Sequence, residues 1–291
     1  MYPQPVVIRS RDGGGRAVRP ATLLLAWLLL GAGGLLSACA APTPTMILPP
    51  EAAAPDYQLG TAYEPAAEVG IVVRDRTAEP VAGIYSVCYI NAFQTQPGEL
   101  DAWPADVLLT DDDGDIVFDP AWPDEALLDT SSAAHRAQIA QRVDPWIRQC
   151  AASGFEAVEF DNLDTYARSG GALTIDDNLA LAAHLVDTAH RAGLAAGQKN
   201  AAEDAETLRK DAGFDFAVAE ECLAFDECEL YFGAYGTRVI AIEYSDTGLD
   251  FAEACRRPSA PASVVLRDRA LVAPDEEGYI FALCDGRPES G

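Results

Sequence analysis

The chain reads as an α/β protein, a single-domain (β/α)8 barrel of the TIM-like kind. Three observations predict this. Short apolar runs alternate with helical stretches, the pattern of βα units on a parallel sheet. About 230 residues remain once the ends are set aside, an ordinary length for one such barrel. Polar residues, mostly carboxylates, follow the apolar runs abruptly, as at the mouth of a barrel enzyme.

Eight runs qualify as strands: residues 57–59, 69–74, 85–91, 126–129, 157–161, 194–199, 214–220 and 239–244. That number suits a closed barrel better than an open sheet. Two later runs, 263–266 and 279–284, are expected to cover the barrel from outside. Between the strands, helix ends are marked. Thr174, with Asp177 three residues on, reads as a capping-box variant, and the helix runs to Gly193. Its Leu181, Leu185 and Ala189 recur at helical spacing and should pack on the sheet. Asn200 is expected to cap the next helix, which Gly213 ends. Residues 132–153 are helical by pattern. Pro145 predicts a break there, with Asp144 capping the restart.

The ends belong to export rather than to the fold. Arg9, Arg11, Arg16 and Arg19 precede an apolar run that closes on Leu36-Ser37-Ala38-Cys39. Residues 1–38 therefore read as a signal peptide. The closing tetrad resembles a bacterial lipobox, which implies cleavage before Cys39 and lipid on its thiol. An uncleaved anchor helix is the alternative. Either places the remainder at the extracellular face of the cell membrane. Residues 39–55, rich in Ala, Pro and Thr, read as a tether. The domain is expected over 56–285, with 286–291 as a tail.

The formal net charge is −26. The leader's four arginines and Asp12 contribute +3, leaving −29 for the rest. Lys199 and Lys210 are the only lysines. Such a field repels nucleic acid and favours cationic partners, or reflects a salt-adapted surface. Apart from Cys39 there are six cysteines, an even number that suits an oxidising compartment. Cys222 and Cys228 are close enough for a loop bridge. Cys88 with Cys150 and Cys255 with Cys284 is the expected remainder, although spacing does not fix connectivity. With no Cys-x-x-Cys, and with His135, His184 and His190 in helical segments, no metal site is expected.

The strand-end residues carry the chemistry: Asp75, Asn91, Asp129, Asp161-Asn162-Leu163-Asp164, Lys199-Asn200, Glu220-Glu221 and Glu243-Tyr244. With Cys88-Tyr89-Ile90-Asn91, Glu159-Phe160-Asp161-Asn162-Leu163-Asp164, Gln198-Lys199-Asn200, Glu220-Glu221-Cys222 and Ile242-Glu243-Tyr244, the chain resembles glycoside hydrolase family 114, the endo-α-1,4-polygalactosaminidases, over residues 56–250. The resemblance implies a (β/α)8 barrel that hydrolyses α-1,4-linked galactosamine chains without a cofactor. It also implies Asp161 as nucleophile and Glu220 as acid/base.

The residues support that chemistry independently. Breaking a glycosidic bond needs one carboxyl group to protonate the leaving oxygen and another to capture the cationic sugar. Asp161 and Glu220 fall on the fifth and seventh candidate strands, and alternate strands feed one side-chain layer. Parity raises one conflict. Phe214, Phe216 and Val218 share a face with Glu220. If that face meets the helices, Glu221 points inward instead.

Other strand-end groups read as binding residues. Asp75, Asp129, Asp164, Glu221 and Glu243 can pair with the ammonium groups of a cationic polysaccharide. Asp164 and Asp129 read equally well as caps. Lys199 reads as a partner of Asp161 or as a structural salt bridge. Asn91 reads as a substrate-binding residue, and Asn162 and Asn200 suit sugar hydroxyls or simply cap helices. Tyr89, Tyr166 and Tyr244 suit sugar faces, whereas Tyr85 and Phe93 read as core. His190 reads as a C-terminal helix partner. Two rival readings stay open: a non-catalytic carbohydrate-binding lipoprotein, and a glycosidase for a different glycan.

Overall fold

The computed structural model describes residues 45–284. The signal peptide, Cys39 and the tail lie outside the described residues. Nine strands follow one another in a single sheet in sequence order: β1 Ala54–Gln58, β2 Val69–Asp75, β3 Tyr85–Asn91, β4 Ala157–Asp161, β5 Ala195–Lys199, β6 Phe216–Glu220, β7 Val239–Tyr244, β8 Ser263–Arg267 and β9 Phe281–Leu283. β1 to β8 pair in parallel and form a nearly closed barrel; β9 adds antiparallel to β8. The helices are α1 Ala133–Ser153, α2 Thr165–Arg168, α3 Ile175–Ala192, α4 Ala205–Thr207, α5 Cys228–Tyr235 and α6 Phe251–Ala254.

Two strand expectations are corrected. Residues 126–129 are not a barrel strand. Ala126, Leu127 and Leu128 are fully buried, which explains the apolar run, but they make only isolated antiparallel bridges to Phe118, Gln94 and Leu108. They belong to a long insertion between β3 and α1. Conversely, the 263–266 run is β8 itself and not an outer cover. Asp161 and Glu220 consequently end the fourth and sixth strands, still an alternate pair.

Two helix expectations fail as well. α1 runs unbroken through Pro145, capped by Ser132, whose side chain accepts from the His135 amide. Asp144 starts no new helix; its carboxylate faces Arg148 and His184. Burial of Ile139, Val143 and Ile147 on one face offsets the backbone hydrogen bond lost at the proline. Asn200 caps nothing. It takes a left-handed conformation (φ 51°) and binds Glu220. The capping box at Thr174 and Asp177, the Gly193 and Gly213 ends, and the packing of Leu181, Leu185 and Ala189 are as expected.

The chain joins the fold earlier than residue 56. β1 starts at Ala54, Met46 and Leu48 pack against the interior cluster, and the Tyr85 hydroxyl donates to the Ile47 carbonyl.

Side chains alternate between two cores. Tyr57, Ile71, Val73, Val87, Phe216, Val218, Ile242 and Val265 fill the barrel. Val158, Phe160, Ala217, Ala219 and Ala241 face outward into the layer containing α1 and α3. Gly197 is required on β5, because a Cβ there would stand 2.5 Å from the Phe216 ring. The Cys88–Cys150 bridge ties β3 to α1, Cys222–Cys228 closes the loop after β6, and Cys255–Cys284 ties α6 to the chain beyond β9.

The seam between β1 and β8 holds a buried ion pair absent from the sequence reading. Arg267, fully buried, donates to Asp56 Oδ1 at 3.0 Å and to the Val272 and Ile280 carbonyls at 3.0 Å each. Arg267→Met strands the buried Asp56 charge and should cost about 3–5 kcal/mol. Urea unfolding measures it. A loss under about 1 kcal/mol would mean that the ion pair does not hold the seam.

Candidate active site

β4, β5 and β6 deliver their last inward side chains to one point at the C-terminal mouth. Lys199 ends β5 and is 3% exposed. Its ammonium lies 3.3 Å from Asp161 Oδ2, 3.1 Å from Glu220 Oε2 and 3.8 Å from Glu159 Oε1. Asp161 and Glu220 each retain a solvent-facing part, 15% and 24% of the side chain. Both share one nitrogen, so their nearest oxygens stand no more than about 6.4 Å apart. That bound admits the ~5–5.5 Å spacing of retaining glycosidases.

The residue after each of these three strands turns left-handed: Asn162 (φ 64°), Asn200 (φ 51°) and Glu221 (φ 58°). Asparagine tolerates this conformation and glutamate less so. The turn leads the chain away and leaves the strand's last side chain over the mouth. The parity conflict is resolved by the same geometry. Phe216 and Val218 belong to the barrel interior, so the face they share with Glu220 points inward. Glu221 instead meets Arg269 at 2.7 Å, and Arg269 also holds Asp246 and covers the Tyr244 ring at 4.2 Å.

Each acid is fixed by several donors. Asp161 accepts from the Tyr89 hydroxyl at 2.7 Å and from the Asn162 amide at 2.8 Å. Glu220 accepts from the Tyr244 hydroxyl and from Asn200 Nδ2 at 3.0 Å, while its own amide donates to Asn200 Oδ1 at 2.8 Å. Burial alone would raise the Glu220 carboxyl. The Lys199 ammonium, with the hydrogen bonds from Tyr244, Asn200 and Lys199, outweighs it and holds the group below the ordinary glutamate range. Lys199 is driven the other way: burial would lower it, but Asp161, Glu220 and Glu159 keep it a firm cation.

Not every expected residue reaches the cluster. Asn91 and Asn162 do, joined by an Nδ2–Oδ1 bond of 3.1 Å beside Asp161. Asp75 ends β2 but is bound by Thr77 and Gln96. Asp129 lies in the insertion, where it takes the Ser131 amide and pairs with His135. Asp164 pairs with Arg168 at 2.8 Å. Tyr166 donates to Asp204, and its ring packs against the Leu109, Leu127 and Leu173 cluster. Glu243 is fully buried and accepts the Leu223 amide at 2.8 Å, so it braces the disulfide loop after Glu220. His190 takes the structural role expected, against Asp215 at 2.8 Å.

Three participants escaped the sequence reading. Glu159 lies inside the barrel beneath Asp161. Its parity with Asp161 was the available signal. Tyr57 donates to Glu159 Oε1 at 2.8 Å from a strand too short to show alternation. Glu125, in the insertion, accepts from Asn91 Nδ2 at 3.0 Å, and no periodic pattern marks it. Among the described residues, no group of three or more His, Cys, Asp or Glu side chains is placed to hold a metal ion.

A barrel mouth that holds two carboxylates beside one ammonium has the groups that carboxylate-pair glycoside hydrolysis needs. The comparisons agree. The model of glycoside-hydrolase family GH114 matches residues 36–289, and the chain belongs to that family; it hydrolyses O-glycosyl bonds. The resemblance read from the sequence is thereby confirmed. Among solved structures, the chain is similar to Ega3 of Aspergillus fumigatus in complex with galactosamine. Identity is 21% and the TM-score 0.64, over 79% of this chain and 97% of that one. It is also similar to the glycoside hydrolase domain of PelA from Pseudomonas aeruginosa. There identity is 16% and the TM-score 0.53, over 75% and 95% of the two chains. At these identities the two neighbours speak for the fold alone. Comparison with the curated proteins gives no match.

Proposed function

We propose that this glycoside hydrolase cuts a cationic, galactosamine-containing polysaccharide internally and with retention, from a lipid anchor at the extracellular face of the membrane. The carrying observation is Lys199, which holds Asp161 and Glu220 together at the mouth. In the unliganded site Lys199 holds Glu220 ionised; Glu220 takes up a proton as substrate binds and then gives it to the leaving oxygen while Asp161 attacks the anomeric carbon. Water, deprotonated by Glu220, then releases the glycosyl-enzyme. The bound on their separation admits this double displacement, and the anomeric configuration of the first-formed product tests it against single inversion.

The charge of the site supports a cationic sugar. Glu125 is pushed up to about 7, first by burial and then by nearby Asp161, with Asn91 opposing. An ammonium arriving beside it would draw it into its charged form, so affinity is gained where the positive sugar lies. Ega3 binds galactosamine in its crystal structure, which fits the same substrate class. Trp122 and Phe225, both exposed, sit on loops after β3 and β6, and exposed aromatic rings on such loops suit stacking against a polymer's sugars. The leader ending at Cys39 and the three disulfides support export and anchoring.

Digestion of partly deacetylated α-1,4-galactosaminogalactan, followed by mass spectrometry, tests the reading. Internal cleavage should give a ladder of oligomers from the first time points. Monomer alone would overturn endo action. No product from folded protein would overturn the substrate class.

A further inference from the structure

Glu159 lies inside the barrel, two residues before Asp161 and fully buried. Its Oε1 accepts the Tyr57 hydroxyl at 2.8 Å and faces Lys199 Nζ at 3.8 Å. Its Oε2 is buried and meets no donor. A carboxylate oxygen stranded in that way costs more than the neutral acid would. Three carboxyl groups therefore converge on one ammonium, and Lys199 sits closer to Asp161 and Glu220 than to Glu159.

We propose that Glu159 is a positioning residue that works in its un-ionised form, leaving the Lys199 ammonium to Asp161 and Glu220. With Glu159 neutral, Asp161 and Glu220 as carboxylates and Lys199 as ammonium carry a net charge of −1 in the unliganded site, which complements an arriving cationic sugar. Ionised, Glu159 would compete for Lys199 from below and add a second uncompensated charge. The titratable groups acting on it are Tyr57 from β1, Tyr89 from β3, Asp161 farther along β4, Lys199 from β5 and Glu220 from β6, with Tyr244 of β7 bound to Glu220. Burial, the largest influence, together with Asp161 and Glu220, outweighs Lys199 and Tyr57 and moves Glu159 to about 8.

The role of Glu159 in turnover rests on the hydrolase reading, but its protonation does not, and two measurements separate them. Infrared difference spectra of the unliganded protein should show the carbonyl band of a buried neutral carboxyl group at pH 7. The component that Glu159→Gln removes, over and above those of Glu125 and Glu243, should persist in Asp161→Asn and disappear from the parent as pH rises through about 8. A band at pH 7 that Glu159→Gln leaves unchanged overturns the inference whatever the substrate proves to be. On a cleaved glycan, kcat of the parent should fall with rising pH through the same range. Glu159→Gln keeps the neutral shape, so it should retain neutral-pH kcat within about threefold and lose that alkaline limb. An unchanged limb in Glu159→Gln overturns the positioning role even if the band is present.

Discussion

Asp161→Asn and Glu220→Gln should each lower kcat by about a thousandfold or more on the polymer, or about 4 kcal/mol of transition-state stabilisation. Each should lower the unfolding midpoint only modestly. The single amide oxygen can still accept from Tyr89 at position 161 or from Tyr244 at position 220, but the new NH2 then faces the Asn162 amide or Asn200 Nδ2, so one donor beside each acid loses its acceptor, at about 1–3 kcal/mol. The two roles separate on a substrate whose leaving group needs no proton, such as a glycosyl fluoride. There Glu220→Gln should recover most of its first-step rate, because the acid is no longer used. Asp161→Asn should not recover, because the nucleophile still is. Rapid-quench kinetics with both substrates provides the check. Recovery by Asp161→Asn alone would exchange the assignments, and near-parental kcat in both variants would move the chemistry away from this pair.

Why some of this was legible and some not follows from how each signal is encoded. Seven of the eight barrel strands were visible as apolar runs, because a strand covered on both faces is apolar throughout. The same property misled at 126–129. Ala126, Leu127 and Leu128 are as buried as any strand, but they are buried in an insertion, and composition does not state a pairing partner. The eighth strand, Ser263–Arg267, was displaced to the outside because the insertion had already taken its place in the count. Parity was read correctly on β6, but which layer that face meets stayed open. In a barrel the interior is as apolar as the helix-facing layer, so Phe216 and Val218 do not announce their side. Asp161, Glu220, Lys199, Asn162 and Asn200 were found because strand ends at the mouth are local features. Glu125 and the Arg267–Asp56 pair are long-range ones. Asp56 and Arg267 are 211 residues apart, and nothing in either neighbourhood names the other.

Lys199→Met should produce the largest stability change in the site, with a pH dependence opposite in sign to that of the parent. In the parent, Glu220 is held below its ordinary value. A depressed acid contributes stability that is present above its unfolded value and is lost as pH falls through the folded one. Without the ammonium, two acids whose nearest oxygens stand no more than about 6.4 Å apart repel by at least about 2.5 kcal/mol at an effective dielectric of about 20, or about 2 pK units. The pair then titrates as a unit with raised values. A raised acid contributes stability that is complete below its unfolded value, near 4.3 for a glutamate, and is lost as pH rises. The gap between parent and variant should therefore be about 3–5 kcal/mol at neutral pH and shrink toward pH 4, where protons replace the missing cation. Urea unfolding across that range measures it. Methionine keeps much of the lysine stem's volume, so packing alone predicts a small and pH-independent loss. A deficit equal at pH 4 and pH 7 would show that Lys199 serves the barrel by filling space. A deficit that grows with pH would show that its charge is what allows Asp161 and Glu220 to face one another.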